Sequence, residues 1–263
     1  MNSKKTVEDS YRVKSAERIF DILDCFTFNT KELSLSEIAS KTGLHKTTAK
    51  RLIANLLARG YLRQDPSSRR YQLGLRLFEL GGIVFSSFSL RRAAASHMTH
   101  LRNETGATVL LGVLMERHLV YIDRRGGRGT IYLTSEIGWR RPPHFGMLGM
   151  VLMSHLDPEE VDSILEQFPL QAYTPYSITD KSLFRLRLDK IRSQGYVLES
   201  EEAIEGTIGV AAPIRDYSRK VIGALGIAMF QKRSNQKRDI DSFVRMVEKA
   251  CDDISADLGY LRI

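Results

Sequence analysis

The stretch from residue 33 to residue 60, LSLSEIASKTGLHKTTAKRLIANLLARG, constrains the fold of this chain more than any other. Its apolar residues form two groups with helical spacing, and Gly43 stands between the groups. Glycine adopts the positive φ that ends a helix, and Ala39 is small enough to let two helices cross closely. Ser34 and Glu37 have the spacing of a capping box at the start of the first helix. The stretch therefore predicts two short helices joined by a tight turn, which is a helix-turn-helix.

The second helix of this pair is predicted to expose cations and hydrogen-bond donors, with no acidic residue among them. Such a face suits a helix that enters the major groove of DNA. An ordinary helical hairpin with a solvated, charged face is the alternative. We predict that base edges are contacted by Thr47, Lys50 and Arg51, and phosphates by Ser36, Lys46 and Thr48. His45, beside them, is also a predicted contact residue.

Two further predicted elements flank the helix-turn-helix. An amphipathic helix over residues 15–28, capped by Ser15, is expected to cover it. After it, residues 61–73 are predicted to form two short strands around the turn at residues 65–68, a hairpin of the kind called a wing. Arg69 and Arg70 follow the tip of this hairpin, and we predict that they contact the DNA backbone or a narrow minor groove. A purely solubilising role for both arginines is the alternative.

The charge of the chain is concentrated in its first part. The formal net charge is +8 for 263 residues, and the residues from Met1 to Arg76 carry +7 of it. The other 187 residues therefore carry about +1. A basic part joined to a nearly neutral part indicates a nucleic acid as partner of the first, which for a helix-turn-helix is double-stranded DNA, and a different partner for the second.

The remaining composition argues against secreted and membrane classes. The two cysteines, Cys25 and Cys251, are too few for a disulfide framework. Residues 1–12 are polar, as expected of a flexible tail rather than a signal peptide, and no run of 18 apolar residues occurs. We therefore expect a cytoplasmic protein that does not enter the membrane.

Residues from Leu75 to Phe88 are apolar on almost every side of a predicted helix. Such a helix has to be buried on several sides, and the small domain before it offers too little surface. We predict an interdomain helix that also packs against a second subunit; a helix buried within its own chain is the alternative. A dimer would place two recognition helices about one turn of DNA apart, which suits a palindromic site.

The rest of the chain alternates helical and strand patterns, with strands paired in hairpins. This order predicts an α+β domain in which helices cover an antiparallel sheet. The predicted helices cover residues 90–105, 144–155, 180–194 and 239–258, with another that starts at Asp157-Pro158. The predicted strands cover residues 108–115, 119–124, 130–133, 196–199, 209–214 and 220–230.

Other chemistries find little support in the residues. His97 and His100 could share a helix face, but no carboxylate or cysteine near them completes a familiar metal site. Glu201 and Glu202 are adjacent and tend to point apart, with no nucleophile pattern beside them. Gly126-Gly127-Arg128-Gly129 lacks the Gly-Lys-Ser/Thr of a phosphate loop. We therefore predict no catalytic residue, no metal and no cofactor, and an exposed loop at residues 140–143 that could act as a cationic lid.

Several motifs, in this order and at these distances, resemble the IclR family of bacterial transcription regulators, which is named after the isocitrate lyase regulator. The resemblance implies a winged helix-turn-helix domain, a linker helix and an effector domain related to the GAF and PAS folds. It also implies dimers, often paired into tetramers, that bind operator DNA in response to a small organic acid or aromatic compound. The motifs are Val13-Lys14-Ser15-Ala16, LSEIASKTGL, RRYQLG, Gly195-Tyr196, Glu201-Glu202, Gly206 and Ala211-Ala212-Pro213-Ile214.

The resemblance also implies a domain division and an effector pocket. The division is a flexible tail at 1–12, a winged helix-turn-helix domain at 13–74, a linker and dimerisation helix at 75–89, and an effector-binding domain at 90–263. The implied pocket residues are Ile137, Met147, Leu148, Gly149, Glu199, Thr207, Gly209, Gly226 and Ala228.

This sequence departs from the family pattern inside that pocket. A cysteine is common where Gly209 stands, small hydroxyls where Gly226 and Ala228 stand, and a Gly-Lys pair at residues 149–150. These changes lead to the hypothesis of a ligand larger or more apolar than a two- or three-carbon acid, held partly by backbone N–H groups near Gly209 and Gly149. The alternative is that the glycines only allow close packing of strands.

Together these features predict a ligand-responsive, sequence-specific DNA-binding regulator of a catabolic or metabolic operon, with a repressor preferred to an activator. It would work as a homodimer or a dimer of dimers. Two other classes stay open: a metabolic enzyme or sensor with an incidental basic front end, and a DNA-binding structural protein whose second domain only oligomerises.

Overall fold

The computed structural model of the protein describes residues 13–27, 29–87, 89–126, 136–230 and 237–261. The chain divides into two units, Met1–Ser87 and Phe88–Ile263. Buried side chains form a core within the first unit and two further cores within the second.

The first unit has the order helix, helix, helix, hairpin, helix. Its core joins Ile22, Ile38, Ile53 and Leu62, which come from four different elements. The elements are α1 (Lys14–Asp24), α2 (Leu35–Thr42), α3 (Lys46–Ala58), β1 (Leu62–Gln64), β2 (Tyr71–Leu73) and α4 (Leu75–Ser87).

Helix α2 has the boundaries that its sequence predicts. The Oγ of Ser34 accepts a hydrogen bond from the backbone N–H of Glu37 at 3.3 Å, and Glu37 Oε2 accepts one from the N–H of Ser34 at 2.7 Å. Gly43 ends the helix with a φ of 65°. Both groups of the predicted capping box are thus present, and Ala39 is buried.

Helix α1 differs from its predicted boundaries. Val13 occupies its N-cap position without a side-chain cap, so that Ser15 lies inside the helix and does not cap it. The helix also ends at Asp24 rather than at residue 28. Thr27 and Thr30 exchange backbone hydrogen bonds of 3.0 Å, which closes a turn where the periodic pattern had predicted more helix.

The second unit is a six-stranded antiparallel sheet with helices on both faces. Its strand order is β5-β4-β3-β8-β7-β6, and every neighbouring pair is antiparallel. The elements are α5 (Ser89–Thr105), β3 (Thr108–Met115), β4 (His118–Arg125), β5 (Arg140–Arg141), α6 (Gly146–Met153), α7 (Pro158–Gln167), α8 (Lys181–Gln194), β6 (Val197–Ser200), β7 (Thr207–Arg215), β8 (Val221–Phe230) and α9 (Lys237–Asp257).

The two faces of this sheet carry different cores. Apolar side chains of α5 and α9 pack on one face, and those of α6, α7 and α8 pack on the other. This arrangement confirms the predicted α+β domain with an antiparallel sheet covered by helices. The strand predicted at residues 130–133 lies outside the described residues. Residues 140–141, predicted as an exposed loop, form a short strand because they pair with Leu119 and Val120 of β4.

Candidate functional site

Helix α3 presents its polar residues on one side and its apolar residues on the other. Ala49, Ile53 and Leu56 are buried in the core of the first unit. His45 occupies the N-cap position. Among the side chains of the helix-turn-helix that are predicted to contact DNA, Thr48 is half-buried and the others are exposed; the exposed ones are Ser36, His45, Lys46, Thr47, Lys50 and Arg51.

The cations of α3 are not neutralised by neighbouring carboxylates. Within the described part of the first unit, the ion pairs between side chains join Arg70 to Glu37 and Arg76 to Glu79. Lys46, Lys50 and Arg51 take no part in these pairs, so their charges face solvent. The helix therefore offers the arrangement of donors and positive charge that a groove-binding helix needs.

The two arginines of the wing have different surroundings. Arg69 is exposed and has a φ of 57°, and its N–H donates to the backbone oxygen of Asp65 at 3.0 Å. Hydrogen bonds from Ser67 and Ser68 fix the turn and lower the pKa of Asp65 to about 2. Arg70 is half-buried, and its Nη2 donates to Glu37 Oε2 at 2.8 Å and to the backbone oxygen of residue 32 at 3.2 Å.

A row of directly paired residues crosses four strands of the second unit. Glu199 of β6 pairs with Gly209 of β7, Gly209 pairs with Ala228 of β8, and Ala228 pairs with Thr108 of β3. Paired residues point to the same face of a sheet. The row is thus a trough with a small-residue floor, a carboxyl group at one end and a hydroxyl group at the other. The backbones of the two end residues are roughly 14 Å apart, which is three strand spacings.

A cavity lies over this trough, beneath the start of α6. It contains about 510 Å³ of empty space, including the solvent at its mouth. Six of the predicted pocket residues line it: Met147, Leu148, Glu199, Thr207, Gly209 and Ala228. Its other lining residues are Thr108, Leu110, Tyr121, Phe145, Gly146, Ala203, Ile204 and Ile208.

Three predicted pocket residues lie outside this lining. Ile137 is 37% exposed and belongs to the surface. Gly149 lies on α6 against the backbone of Pro143, where a Cβ would collide with the carbonyl oxygen. A Cβ on Gly226 would approach the backbone oxygen of Val210 at 2.7 Å, so this glycine permits close strand packing. The contacts of Gly149 and Gly226 are therefore those of the alternative given above, in which glycine permits close packing.

The space above Gly209 is occupied by the side chain of Met147. A Cβ on Gly209 would lie 2.6 Å from Met147 Sδ, and one on Gly226 would lie 3.0 Å from Met147 Cε. The absence of larger side chains at these positions therefore makes room for a thioether rather than leaving the trough open. Methionine is unbranched and changes rotamer easily, so a ligand can reach the floor once this side chain moves.

Buried polar groups set the electrostatics of the cavity. Burial raises the pKa of Glu199 to about 7, although the N–H of Ala203 donates to its Oε1 at 3.0 Å. Burial also raises the pKa of Tyr121, which stays a neutral hydroxyl. His144, next to the lining, has its pKa lowered to about 4 by burial and is neutral at pH 7. Among the described lining residues, Glu199 is therefore the one whose charge changes near neutral pH.

A cation stands beside the cavity rather than in its wall. The guanidinium carbon of Arg141 lies 4.4 Å from the ring centroid of Trp139 and 4.8 Å from that of Phe145. Phe145 lines the cavity, and the charge of Arg141 acts to lower the pKa of Tyr121 against the larger effect of burial. Of residues 140–143, Arg141 thus places a guanidinium group beside the cavity, in contact with two aromatic rings.

The paired glutamates at 201 and 202 have structural contacts. Glu201 Oε2 accepts a hydrogen bond from the N–H of Gly206 at 2.8 Å, and Glu202 Oε1 forms an ion pair with Arg187 at 3.0 Å. Throughout the described ranges, no group of three or more His, Cys, Asp or Glu side chains is placed to hold a metal ion. No helix in the described residues is both long and apolar enough to span a membrane.

Sequence reasoning missed eight of the lining residues, and for those on β3 and β4 the reason is the register of the sheet. Thr108 and Tyr121 lie on β3 and β4, which read as ordinary buried strands. Their place in the cavity follows from pairings such as Thr108 with Ala228, across more than a hundred residues of chain. The apolar run of β3 gives neither the face of Thr108 nor its partner, so no local signal could have identified this residue.

Two sequence profiles together match most of the chain. A profile described as "IclR helix-turn-helix domain" matches residues 15–66. A profile described as "Bacterial transcriptional regulator IclR C-terminal" matches residues 83–256.

Individual proteins are similar over nearly the same length. The HTH-type transcriptional regulator XynR of Escherichia coli (strain K12) is 33% identical over 248 residues, which are 94% of this chain and 98% of that protein. The glycerol operon regulatory protein of Streptomyces coelicolor is 32% identical over 94% of this chain and 97% of its own. The crystal structure of an IclR homolog complexed with 4-hydroxybenzoate, from Microbacterium hydrocarbonoxydans, superposes with a TM-score of 0.83 and 25% identity, covering 93% of this chain and 98% of that one.

Proposed function

The chain belongs to the IclR family of bacterial transcriptional regulators, and we propose that it represses a catabolic operon by binding operator DNA under the control of a small effector. The observation that carries the DNA-binding part is the exposed, unneutralised face of α3, backed by a helix-turn-helix core and followed by a wing. Such a regulator acts in the cytoplasm, where its DNA is, and needs no catalytic group.

We assign the reading of bases to α3. Thr47, Lys50 and Arg51 are exposed near its N-terminal end, which is the part of a recognition helix that reaches base edges. Lys46, Thr48 and Ser36 are assigned to phosphates, because backbone contacts fix the register of a recognition helix on the duplex. The exposed Arg69 of the wing adds a further phosphate contact.

The effector is proposed to be an elongated organic acid or aromatic metabolite that lies along the trough. The carboxyl group of Glu199 and the hydroxyl group of Thr108 end a row of small residues, which suits a flat molecule with polar groups at both ends. The regulator from Microbacterium hydrocarbonoxydans was crystallised with 4-hydroxybenzoate, a molecule of this shape. Met147 has to leave the floor of the trough for such a ligand to bind.

The proposed working form is a homodimer, with a dimer of dimers as an extension. Leu75, Phe78 and Ile83 of α4 are 69, 77 and 64% exposed in the single chain. Three large apolar side chains on one helix are costly in water, and a second subunit would cover them. Two copies of α3 would then bind the two halves of a palindromic operator.

The test is a titration of the purified protein with the DNA beside its own gene, followed by fluorescence anisotropy of a labelled duplex. We expect tight binding to one segment, weak binding to random duplex, and loss of the preference in the double variant Lys50→Ala/Arg51→Ala.

The titration is then repeated with metabolites of the neighbouring pathway, and isothermal calorimetry measures the binding of keto acids and aromatic acids. Equal affinity of the wild type for all duplexes would contradict sequence-specific regulation, and tight binding of glyoxylate or pyruvate alone would contradict the elongated effector.

A further inference from the structure

The wing is tied to the first turn of α2 through its second arginine. Arg70 Nη2 donates to Glu37 Oε2 at 2.8 Å and to the backbone oxygen of residue 32 at 3.2 Å. The same oxygen of Glu37 accepts the backbone N–H of Ser34 at 2.7 Å. One carboxylate oxygen therefore joins the N-cap of α2 to the guanidinium group of the wing.

Backbone contacts hold the same two segments together. Leu33 and Tyr71 exchange N–H···O hydrogen bonds of 3.0 and 2.7 Å, so the residue before α2 pairs with β2. The side chain of Gln72 also donates to Glu32. The base of the wing is thus already fixed by backbone pairing, and the Arg70–Glu37 ion pair, with side chains 37 and 46% exposed, adds little to folding stability. The role of this ion pair is therefore expected in DNA binding rather than in folding.

The position of Glu37 indicates that contribution. It follows Ser36 in the first turn of α2, on the side proposed to approach a phosphate, and a bare carboxylate there would repel DNA. Hydrogen bonds from Ser34 and then the guanidinium group of Arg70 lower the pKa of Glu37 to about 2, so the carboxylate is charged at every physiological pH. Protonation cannot remove this charge, and the cation of Arg70 is the neutralising group in contact with it.

We propose that Arg70 is a positioning residue that neutralises Glu37 and holds the wing on α2, so that Arg69 is the arginine of the wing that binds phosphate. This assignment rests on the proposed DNA-binding function. It replaces the expectation, drawn from the sequence, that both arginines contact DNA. Arg69 is exposed beside it, at a turn fixed by Asp65, where a free guanidinium group can reach the duplex.

A matched pair of substitutions distinguishes the two roles. Arg69→Met removes a phosphate contact, so the slope of log affinity against log salt on random duplex should become shallower by about 0.9. Arg70→Met should lower the affinity severalfold and leave the slope close to that of the wild type. Glu37→Gln preserves the capping box, because glutamine at this position still accepts the N–H of Ser34. The double variant Glu37→Gln/Arg70→Met should therefore recover most of the affinity lost in Arg70→Met.

Two outcomes would overturn the assignment. One is a slope change in Arg70→Met as large as that in Arg69→Met; the other is a double variant in which the losses simply add. A measurement without DNA keeps the test separate from the proposed function: the pKa of Glu37, followed by NMR of its side-chain carboxyl carbon, should rise in Arg70→Met and stay unchanged in Arg69→Met. An unchanged value in Arg70→Met would contradict the contact itself, whereas failure of the wild type to bind any duplex would contradict only the DNA-binding proposal.

Discussion

Lys46 and Arg51 stand at different places on the exposed face of α3, and their removal should have different consequences. Arg51→Ala should weaken binding to the preferred site by roughly 1–3 kcal/mol and relax the preference at one base pair. Lys46→Ala should weaken binding to every duplex by a similar factor and make the salt slope shallower by about 1. Anisotropy titrations on specific and random duplexes at several salt concentrations measure both effects. Equal losses for the two variants on both duplexes would contradict the assigned roles.

The carboxyl group of Glu199 should make the stability of the second unit depend on pH. Burial raises its pKa to about 7 from an ordinary value of 4.5. Between these values the folded protein holds a proton that the unfolded chain has released, so the free energy of unfolding falls as the pH rises through this window. The charged groups that act on Glu199 are Glu202, three residues later in the chain, and Arg187 of α8, and these two form an ion pair with each other.

The change should amount to as much as about 3 kcal/mol between pH 4.5 and pH 7. Urea denaturation followed by circular dichroism at several pH values measures this change in the wild type and in Glu199→Gln. The glutamine side chain does not titrate, so the variant should lose the part of the pH dependence that comes from residue 199. Glu205→Gln, at an exposed position nearby, serves as control and should behave as the wild type does. A Glu199→Gln variant with the pH profile of the wild type would contradict a raised pKa.

Single residues show where sequence reasoning succeeds at this scale and where it stops. Ser34, Glu37 and Gly43 were predicted correctly because caps and helix ends are determined by residues three or four positions apart. The ion pair between Arg70 and Glu37 was not predicted, because the two residues are 33 positions apart and nothing local signals the pairing. Met147 was assigned to the pocket, but its place on the floor between two glycines depends on three-dimensional packing.

Gly209 of β7 and Gly226 of β8 lie near the floor of the trough, and replacing each by alanine should change the free energy of unfolding by different amounts. A Cβ on Gly226 would meet Val210 O at 2.7 Å and Ala211 Cβ at 2.8 Å, which are backbone or near-backbone atoms in the middle of a sheet. Gly226→Ala should therefore lower the free energy of unfolding by roughly 1–3 kcal/mol. A Cβ on Gly209 would meet the flexible end of Met147, so Gly209→Ala should cost less than about 1 kcal/mol. Urea denaturation of the two variants measures the difference, and the reverse order would contradict this packing.

The types of secondary structure were predicted better than the contacts between the elements. The apolar run of residues 108–115 and the helical pattern of residues 180–194 predicted the right types of structure. The short strand β5 was missed because two residues carry no periodic signal, and it forms through pairing with β4. The end of α1 was misplaced because the turn closed by Thr27 and Thr30 interrupts an apolar pattern that continues to Phe26.

The proposed dimer depends on the exposed apolar side chains of α4. Phe78→Glu places a charge among them and should shift the protein from dimer to monomer in sedimentation velocity experiments. A monomer has one recognition helix per molecule, so its affinity for a full operator should fall on the order of tenfold or more. Glu79→Ala, a change at a neighbouring polar position of the same helix, is the control and should remain dimeric. If the Phe78→Glu variant remained dimeric, the subunit interface would have to lie outside these side chains of α4.

The indole of Trp139 gives the second unit an optical property that the first unit lacks. Trp139 is the sole tryptophan of the 263 residues, so all tryptophan emission comes from the effector-binding part. Its ring lies 4.4 Å from the guanidinium carbon of Arg141, and it packs against the core that includes Tyr121, Met147 and Leu148 of the cavity wall. A ligand that displaces Met147 or draws Arg141 away should change that emission. Candidate effectors can therefore be screened on the unlabelled wild-type protein, without operator DNA and before its sequence is known.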